Sequence, residues 1–419
     1  MEATIAKLLE IPDIKVKSMR LNKAGDVIIT VESTKTGTLC RCCGRLIDKR
    51  HGHDNWIELQ HLPILGRRTF IRLRPKRYRC HKCDGKPTTT QKSAWYQSRC
   101  SVTKAFEEYL LLQLVNSTIA DVSRKEAVGY ETVAGVLERR VSQTVNWEEF
   151  SRLQIIGIDE IALRKGHKDF VAIITTRQTD SEGVRVLGIL KDRKKATVKQ
   201  FLKQIPRHLR MTVETVCTDM WKGYVNASKE VFGKNVNITV DRFHVAKLYR
   251  QGVDKLRQQE CKRLKKELSE ADYKQLKGAM WAFRKHESAL NENEEVVLAR
   301  LFSHSPSLHK AYQLRHELTA IFDSHLTRAN ARSEIIAWCE KVIDSSLSCF
   351  DSFATTLRNW FPEILNYFGP RLNSGFVEGF NNKIKTLKRR CYGILDVGRL
   401  FQRLYLDMEG YRLYGHPHF

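Results

Sequence analysis

Between residues 150 and 245 short apolar runs alternate with amphipathic stretches, and two of the runs end in aspartate. Leu153-Gln-Ile-Ile-Gly-Ile158 stops at Asp159, and Val213-Glu-Thr-Val-Cys-Thr218 stops at Asp219. Runs this short and this rich in β-branched residues read as strands. Phe170–Thr175 and Val184–Leu190 follow the first run closely and complete an antiparallel meander with it. A helix is expected at about 197–204, a strand at 213–218, a helix from about Trp221 and a strand at Asn235–Val240.

Three meandering strands followed by α-β-α-β is the order of an RNase H-like domain. In that layout the first and fourth strands lie side by side, which would bring Asp159 near Asp219. A third acid, Glu378, lies in Asn373-Ser-Gly-Phe-Val-Glu-Gly-Phe-Asn-Asn-Lys-Ile-Lys-Thr-Leu-Lys-Arg-Arg390, a segment that reads as a basic helix. Carboxylates are hard oxygen ligands suited to Mg²⁺ or Mn²⁺. Three of them at two strand ends and one helix can hold two such ions, an arrangement that cuts and rejoins phosphodiesters. On the helix, Glu378, Asn382, Lys385 and Arg389 share a face. Lys383, Lys385, Lys388, Arg389 and Arg390 follow Glu378 closely, and this stretch is expected to contact phosphate. Glu160, next to Asp159 on a strand, is expected to point to the opposite face and to take no part in the metal site.

The charge balance fits such a substrate. The chain of 419 residues carries 72 Lys and Arg against 47 Asp and Glu, a net +25, which points to nucleic acid as partner. A hydrophobic fraction of 42% makes it globular rather than disordered. No run of eighteen apolar residues exists, so no membrane span is expected. The first ten residues mix acids into a short apolar run and do not read as a secretory signal. An odd cysteine count, eleven, argues against a disulfide framework and for a reducing, cytoplasmic setting.

The cysteines cluster. Cys40-Arg-Cys-Cys43-Gly44 and Cys80-His-Lys-Cys83-Asp-Gly85 each supply a Cys-x-x-Cys knuckle. A two-residue spacer lets both thiolates of a knuckle reach one tetrahedral ion, and the glycine that follows relieves the tight turn. Cys40, Cys43, Cys80 and Cys83 are therefore the expected ligands of a closed structural Zn²⁺ site, with Cys42 and His81 as rival ligands. The gap between the knuckles requires a β-hairpin insertion that includes Phe70–Arg74, Tyr78 and Arg79.

The segment from Ser117 to Leu137 fits a helix-turn-helix. Val122, Ala127, Gly129, Val133 and Val136 occupy the positions that need small or apolar residues, with Gly129 supplying the turn. The second helix, about Glu131 to Val145, would face DNA and carry Arg139 and Arg140 near phosphates. From 246 to 368 the pattern is helical. Lys255, Arg257, Lys262, Arg263, Lys265 and Lys266 lie along one amphipathic run there, a solvated face or a DNA track. Trp281 and Trp338 are expected in the core.

Four motifs in this order carry a family resemblance: Gly157-Ile-Asp159-Glu160, Thr218-Asp219-Met-Trp-Lys-Gly-Tyr224, Asp241-Arg-Phe-His244-Val245 and Val377-Glu378-Gly-Phe-Asn381-Asn382-Lys-Ile-Lys385. Together they resemble the ISL3 family of bacterial insertion-sequence transposases, over nearly the whole chain. The resemblance implies DDE-type chemistry, with Asp159 and Asp219 as the first two catalytic aspartates and Glu378 as the final glutamate. It implies an all-α insertion between the second and third acids. It also suggests an accessory role for Asp241 and His244, whose alternative is a helix-capping acid with a packed histidine.

The resulting expectation is an α/β multidomain protein. A zinc-binding module spans 1–98 and a helix-turn-helix domain 99–148. An RNase H-like catalytic domain begins at 149–245, is interrupted by the all-α insertion at 246–368, and closes with helices at 369–419. Its expected substrates are double-stranded DNA, as terminal inverted repeats and as target, and a homodimer or higher oligomer would synapse two ends. A nuclease or resolvase of the same superfamily that cuts without strand transfer is one alternative. A non-enzymatic DNA-binding regulator is the other.

Overall fold

The computed structural model describes residues 9–164, 169–177, 183–240, 242–369 and 375–415, without the side chains of 243 and 375–378. It forms two compact units. One takes residues 1–143, 387–393 and 399–419, and the other takes 144–386 and 394–398. Among the described residues no helix is long and apolar enough to cross a membrane.

The first unit begins with nine strands: β1 (Ile14–Leu21), β2 (Val27–Ser33), β3 (Thr38–Leu39), β4 (Leu46–Ile47), β5 (Arg50–His53), β6 (Ile57–Ile64), β7 (Arg67–Leu73), β8 (Lys76–Arg79) and β9 (Thr88–Thr90). They make a four-stranded sheet in the order β1-β2-β7-β6, the β3-β4 pair and a β5-β8-β9 sheet. A hairpin does lie between the knuckles, β6–β7, turned at Leu65 and Gly66, both with positive φ, and it carries residues 70–73, whereas Tyr78 and Arg79 lie on β8 of a different sheet. The hairpin completes a sheet begun by β1 and β2, ahead of the first knuckle. Ile29, Leu59, Ile71 and Leu73 form that sheet's dry face, and each buried side chain of this kind contributes roughly 1.5–3 kcal/mol.

Three helices follow, α1 (Lys104–Leu114), α2 (Ile119–Lys125) and α3 (Tyr130–Arg140). Thr103 and Thr118 cap α1 and α2 with their side-chain oxygens. Val122, Val128, Val133, Val136 and Leu137 bury against Phe106, Leu110, Leu111 and Leu114. Two details of the α2–α3 turn differ from the sequence reading. Gly129 has φ −57 and stands at the start of α3, whereas Ala127 takes the left-handed conformation at φ 51. Ala127 is exposed, and Val128 fills the apolar position instead. α3 also ends at Arg140, before the expected Val145.

The second unit is centred on a five-stranded sheet: β10 (Gln154–Ala162), β11 (Phe170–Arg177), β12 (Val184–Leu190), β13 (Val213–Thr218) and β14 (Asn237–Val240), in the order β12-β11-β10-β13-β14. β10, β11 and β12 are the antiparallel meander, and β10–β13 and β13–β14 are parallel pairs. The long buried runs of β11 and β13 suit strands with both faces covered. Crossover helices α4 (Lys195–Gln204), α5 (Arg207–Arg210) and α6 (Lys222–Phe232) join the later strands. Gly188 on β12 admits the ring of Phe201 from α4, because a Cβ there would meet it at 2.6 Å.

Next comes α7 (Arg242–Glu267), then α8 (Glu270–Lys274), α9 (Ala279–Ala282), α10 (Glu292–His304), α11 (Pro306–Asp323), α12 (Arg328–Asp344), α13 (Asp351–Asn359) and α14 (Phe361–Leu365). Trp338 is buried among Tyr249, Phe350 and Phe353. Trp281, expected in the core, is 63% exposed. Ala279, Ala282 and Phe283 are the buried positions of this single turn, so the indole falls on the outer side, under Arg284. On α7, Arg257 pairs with Asp254, and Arg263 with Glu260 and Glu267, while Lys255, Lys262, Lys265 and Lys266 are exposed.

The last helices are α15 (Gly375–Arg390) and α16 (Val397–Tyr414). Residues 369–419, taken together in the sequence reading, are divided between the two units. Within the first unit α16 sits on the three-helix group. Leu406 joins its core, Gln402 Nε2 donates to Val141 O at 2.6 Å, and Arg403 Nη2 donates to Ser117 O at 2.5 Å. Asn116 N donates to the buried Asp407 carboxylate, which is also paired with Arg390.

Candidate active site and zinc centre

Ile158 of β10 stands opposite Thr218 of β13 in the parallel register. The next residues are Asp159 and Asp219, on neighbouring strands spaced about 4.8 Å apart. Burial first, then the charges of Asp159 and Glu160, push the Asp219 carboxyl up to about 7. Two or three carboxylates sharing a half-dry site cannot all ionise unaided, and a cation relieves them. The donors are all oxygen, the set that Mg²⁺ and Mn²⁺ prefer.

Asp159 is also held from two sides. Its Oδ1 accepts from the Glu160 backbone N–H at 2.7 Å, and its Oδ2 accepts from Asn381 Nδ2 at 2.5 Å. Glu160, expected to lie apart from the site, acts on Asp219 through its charge and is chelated by Arg193 at 2.8 and 2.9 Å. Arg193 in turn lies over the rings of Phe170 and Trp221. Tyr224 of α6 is fully buried, and its hydroxyl has no hydrogen-bond partner among the described residues. Burial and the charges of Glu160, Asp219 and Asp159 keep its proton bound far above the usual phenol range.

Glu378 lies on α15, one turn before Asn381, and its side chain is outside the described residues. Asp241 lies outside them as well. His244 is half-buried in the first turn of α7. Asn382, Lys385 and Arg389 are exposed, whereas Lys383 and Lys388 are half-buried, and burial pulls the Lys388 ammonium down. Arg139 and Arg140 are engaged within their own unit: Arg139 donates to the buried Glu107 at 2.8 Å, and Arg140 pairs with Glu108. Arg124 and Lys125 at the end of α2, beside the turn, are exposed, as Arg139 is, and Arg124 stands 3.9 Å from Asp121.

Asn381, Arg193 and Tyr224 were not singled out from sequence. Tyr224 and Asn381 carried a faint signal as members of the quoted motifs. Arg193, in a lysine-rich loop, carried none.

The cysteine centre is compact. Cys80 Sγ lies 3.6 Å from Cys83 Sγ, Cys43 Sγ 3.9 Å from Cys80 Sγ, and Cys40 Sγ 4.0 Å from Cys83 Sγ. All four sulfurs fall within 4.8 Å of one another. A tetrahedral zinc with Zn–S of about 2.3 Å spaces its sulfurs about 3.8 Å apart, so the set fits the ion. Backbone N–H groups of Cys43 and Cys42 pull the Cys40 thiol down to about 6, while hydrogen bonds with Cys43 and Cys80 push Cys83 up. Gly44 and Gly85, with φ of 66 and 72, close the two knuckles. Cys42 and His81 are exposed and outside the cluster, which removes both rivals.

These features define a zinc-ribbon protein with an α/β core centred on carboxylates. Residues 36–83 match the model of the ISL3 zinc ribbon, described as the zinc-finger of transposase IS204/IS1001/IS1096/IS1165. Residues 156–404, more than half of the chain, match the ISL3 model described as transposase. The chain belongs to the ISL3 transposase family. It is 27% identical over 384 residues to the transposase for insertion sequence element IS1001 of Bordetella parapertussis, covering 91% of each. To the transposase for insertion sequence element IS1557 of Mycobacterium tuberculosis (strain CDC 1551 / Oshkosh) it is 22% identical over 437 residues, covering 97% of this chain and 94% of that one.

Proposed function

We propose that this transposase cuts DNA at the ends of its element and joins the 3′-hydroxyls to target DNA, using Asp159, Asp219 and Glu378 as a cation-binding triad on an RNase H-like domain. The observation that carries this reading is the placement of Asp159 beside Asp219, in which burial and then the neighbouring charge push the Asp219 carboxyl up to about 7. Glu378 is the third member because α15 already delivers Asn381 to Asp159, and Glu378 lies one turn earlier on the same helix. Two divalent cations held there would supply activation of water or a 3′-hydroxyl and stabilisation of the leaving oxygen. Asp159 is oriented for this by the Glu160 N–H and Asn381. Arg193 neutralises Glu160, so that this acid does not compete for the site.

The zinc module and the α2–α3 pair, read as a helix-turn-helix, recognise the terminal inverted repeats. Phosphate contact there falls to Arg124 and Lys125, because Arg139 and Arg140 would have to leave Glu107 and Glu108 first. Lys385, Arg389 and Asn382 on the exposed side of α15 contact the DNA backbone near the site, with Lys383 and Lys388 flanking them. Asp241 and His244 are assigned an accessory role at the same site. Two copies of the chain hold two ends.

The test is Mg²⁺- or Mn²⁺-dependent cleavage and joining on duplex DNA carrying the element's own ends, with wild type beside Asp159→Ala, Asp219→Ala and Glu378→Ala. Joining by wild type and by none of the variants supports the triad. Cutting without joining turns the reading to a nuclease, and sequence-specific binding without cutting turns it to a regulator. Full activity of Glu378→Ala removes that glutamate from the site.

A further inference from the structure

Asn381 does more at this site than brace an acid. The residue is only 7% exposed, and its Nδ2 donates to Asp159 Oδ2 at 2.5 Å. Its amide oxygen, Oδ1, is buried and has no hydrogen-bond partner among the described residues. A buried carbonyl oxygen left unpaired is costly, and such a group calls for a use. Oδ1 hangs from the same carbon as Nδ2, so it lies beside the Asp159 carboxylate, whose charge also acts on Asp219.

An amide can exchange the places of its oxygen and nitrogen by a half-turn of its terminal torsion. Facing a bare carboxylate, the N–H₂ end is favoured, because two oxygens at that distance repel. Facing a carboxylate that shares a divalent cation, the preference inverts: the oxygen is drawn to the cation and the N–H₂ is repelled. Asparagine carbonyls are ordinary ligands of hard divalent ions. A neutral oxygen also adds a ligand without a further negative charge beside Asp159, Asp219 and Glu160.

We propose that Asn381 Oδ1 is a ligand of the divalent cation held at Asp159, and that the Nδ2–Asp159 hydrogen bond is the form the amide takes before the cation enters. The assignment rests on the reading of Asp159 and Asp219 as a cation-binding pair. Asn381 thereby ties the position of α15 to cation loading, since the same helix carries Glu378.

The test measures Mn²⁺ binding to the full-length, zinc-loaded protein without DNA, by calorimetry and by the electron paramagnetic resonance of free Mn²⁺. Wild type is compared with Asn381→Leu, Asn381→Asp, Asp159→Asn and Asp219→Asn. Asn381→Leu is expected to weaken Mn²⁺ binding by about tenfold or more. Asn381→Asp, which keeps the shape and the oxygen, is expected to bind Mn²⁺ at least as tightly as wild type. It should also show the larger rise in melting temperature on adding Mn²⁺, because its added charge strains the metal-free form. If the two aspartate variants lose binding while Asn381→Leu keeps it, the cation site stands and the asparagine is only a brace. Asn381→Asp binding as weakly as Asn381→Leu would mean that the amide N–H₂ was what mattered, which also overturns the assignment. Binding unchanged in Asp159→Asn and Asp219→Asn would remove the cation site and this ligand with it.

Discussion

Ile158 and Thr218 face each other across two parallel strands, and that register sets the next two residues, Asp159 and Asp219, side by side. A slip of one residue would turn one of the carboxylates to the other face of the sheet. The candidate site therefore depends on packing of the apolar residues that precede the acids.

The raised Asp219 carboxyl has a pH signature. Its folded value of about 7 lies above the ordinary 3.8, so the folded state binds the proton more tightly than the unfolded state. The corresponding stability is fully present below about 3.8 and is lost as pH rises through about 7. In metal-free buffer, Asp219→Asn should raise the melting temperature most at pH 8 and by clearly less at pH 5, inside the window where the loss is only partial. Thermal melts at both values check this, and an equal shift at the two would refute it.

His61 titrates in the opposite sense. It is buried, with Nδ1 at 2.8 Å from Thr103 Oγ1, and burial pulls its pKa down to about 4 from 6.5. The stability tied to its neutral form is complete above about 6.5 and is lost as pH falls through the window down to about 4. His61→Gln should flatten the acid limb of the stability profile between those values. Urea unfolding at pH 7 and pH 5 measures it; an unaltered acid limb would show that other groups carry the effect.

Removal of Arg139 should act on folding before it acts on DNA. Arg139→Ala leaves the buried Glu107 without its 2.8 Å partner, a loss of about 1–3 kcal/mol. Arg139→Ala combined with Glu107→Gln should recover most of it. Arg124→Ala should instead leave stability within about 0.5 kcal/mol and weaken binding to end DNA, with a shallower salt dependence. Chemical denaturation and salt-titrated DNA binding separate the two, and the same profile for both arginines would contradict the pairing.

The zinc centre should report on its four ligands separately from its neighbours. Cys40→Ser, Cys43→Ser, Cys80→Ser and Cys83→Ser should each abolish stoichiometric zinc, whereas Cys42→Ser and His81→Ala should retain it. Elemental analysis of the purified proteins decides this. Zinc lost from Cys42→Ser would place that thiol back among the ligands. The β1-β2-β7-β6 sheet, which has its own core, should keep its slow amide exchange when the zinc is removed.

Local pattern was enough for much of this molecule. The strands that lead to Asp159 and Asp219 were visible because β-branched apolar runs encode strands within a few positions, although β10 runs on past Asp159 to Ala162. The paired knuckles were visible because a two-residue spacer has few uses besides a shared metal ion. Long-range pairing was not encoded locally. Asn381 reaches Asp159 across 222 positions, and no periodicity on α15 distinguishes it from Asn382, which is exposed. Arg139 reads as a free cation until α1 packs Glu107 against it, and Trp281 reads as core until its single turn buries the alanines on the other side. α16 reads as a further helix of the catalytic domain, yet Gln402, Arg403 and Asp407 find their hydrogen bonds on residues 114–141. By itself, then, the sequence determined which segments become strands, helices and knuckles, since those follow from the hydrophobic period and the turn chemistry of neighbouring residues. Only the tertiary structure decided which polar side chains are spent on one another and which remain for a substrate, because that depends on what burial brings within hydrogen-bonding distance.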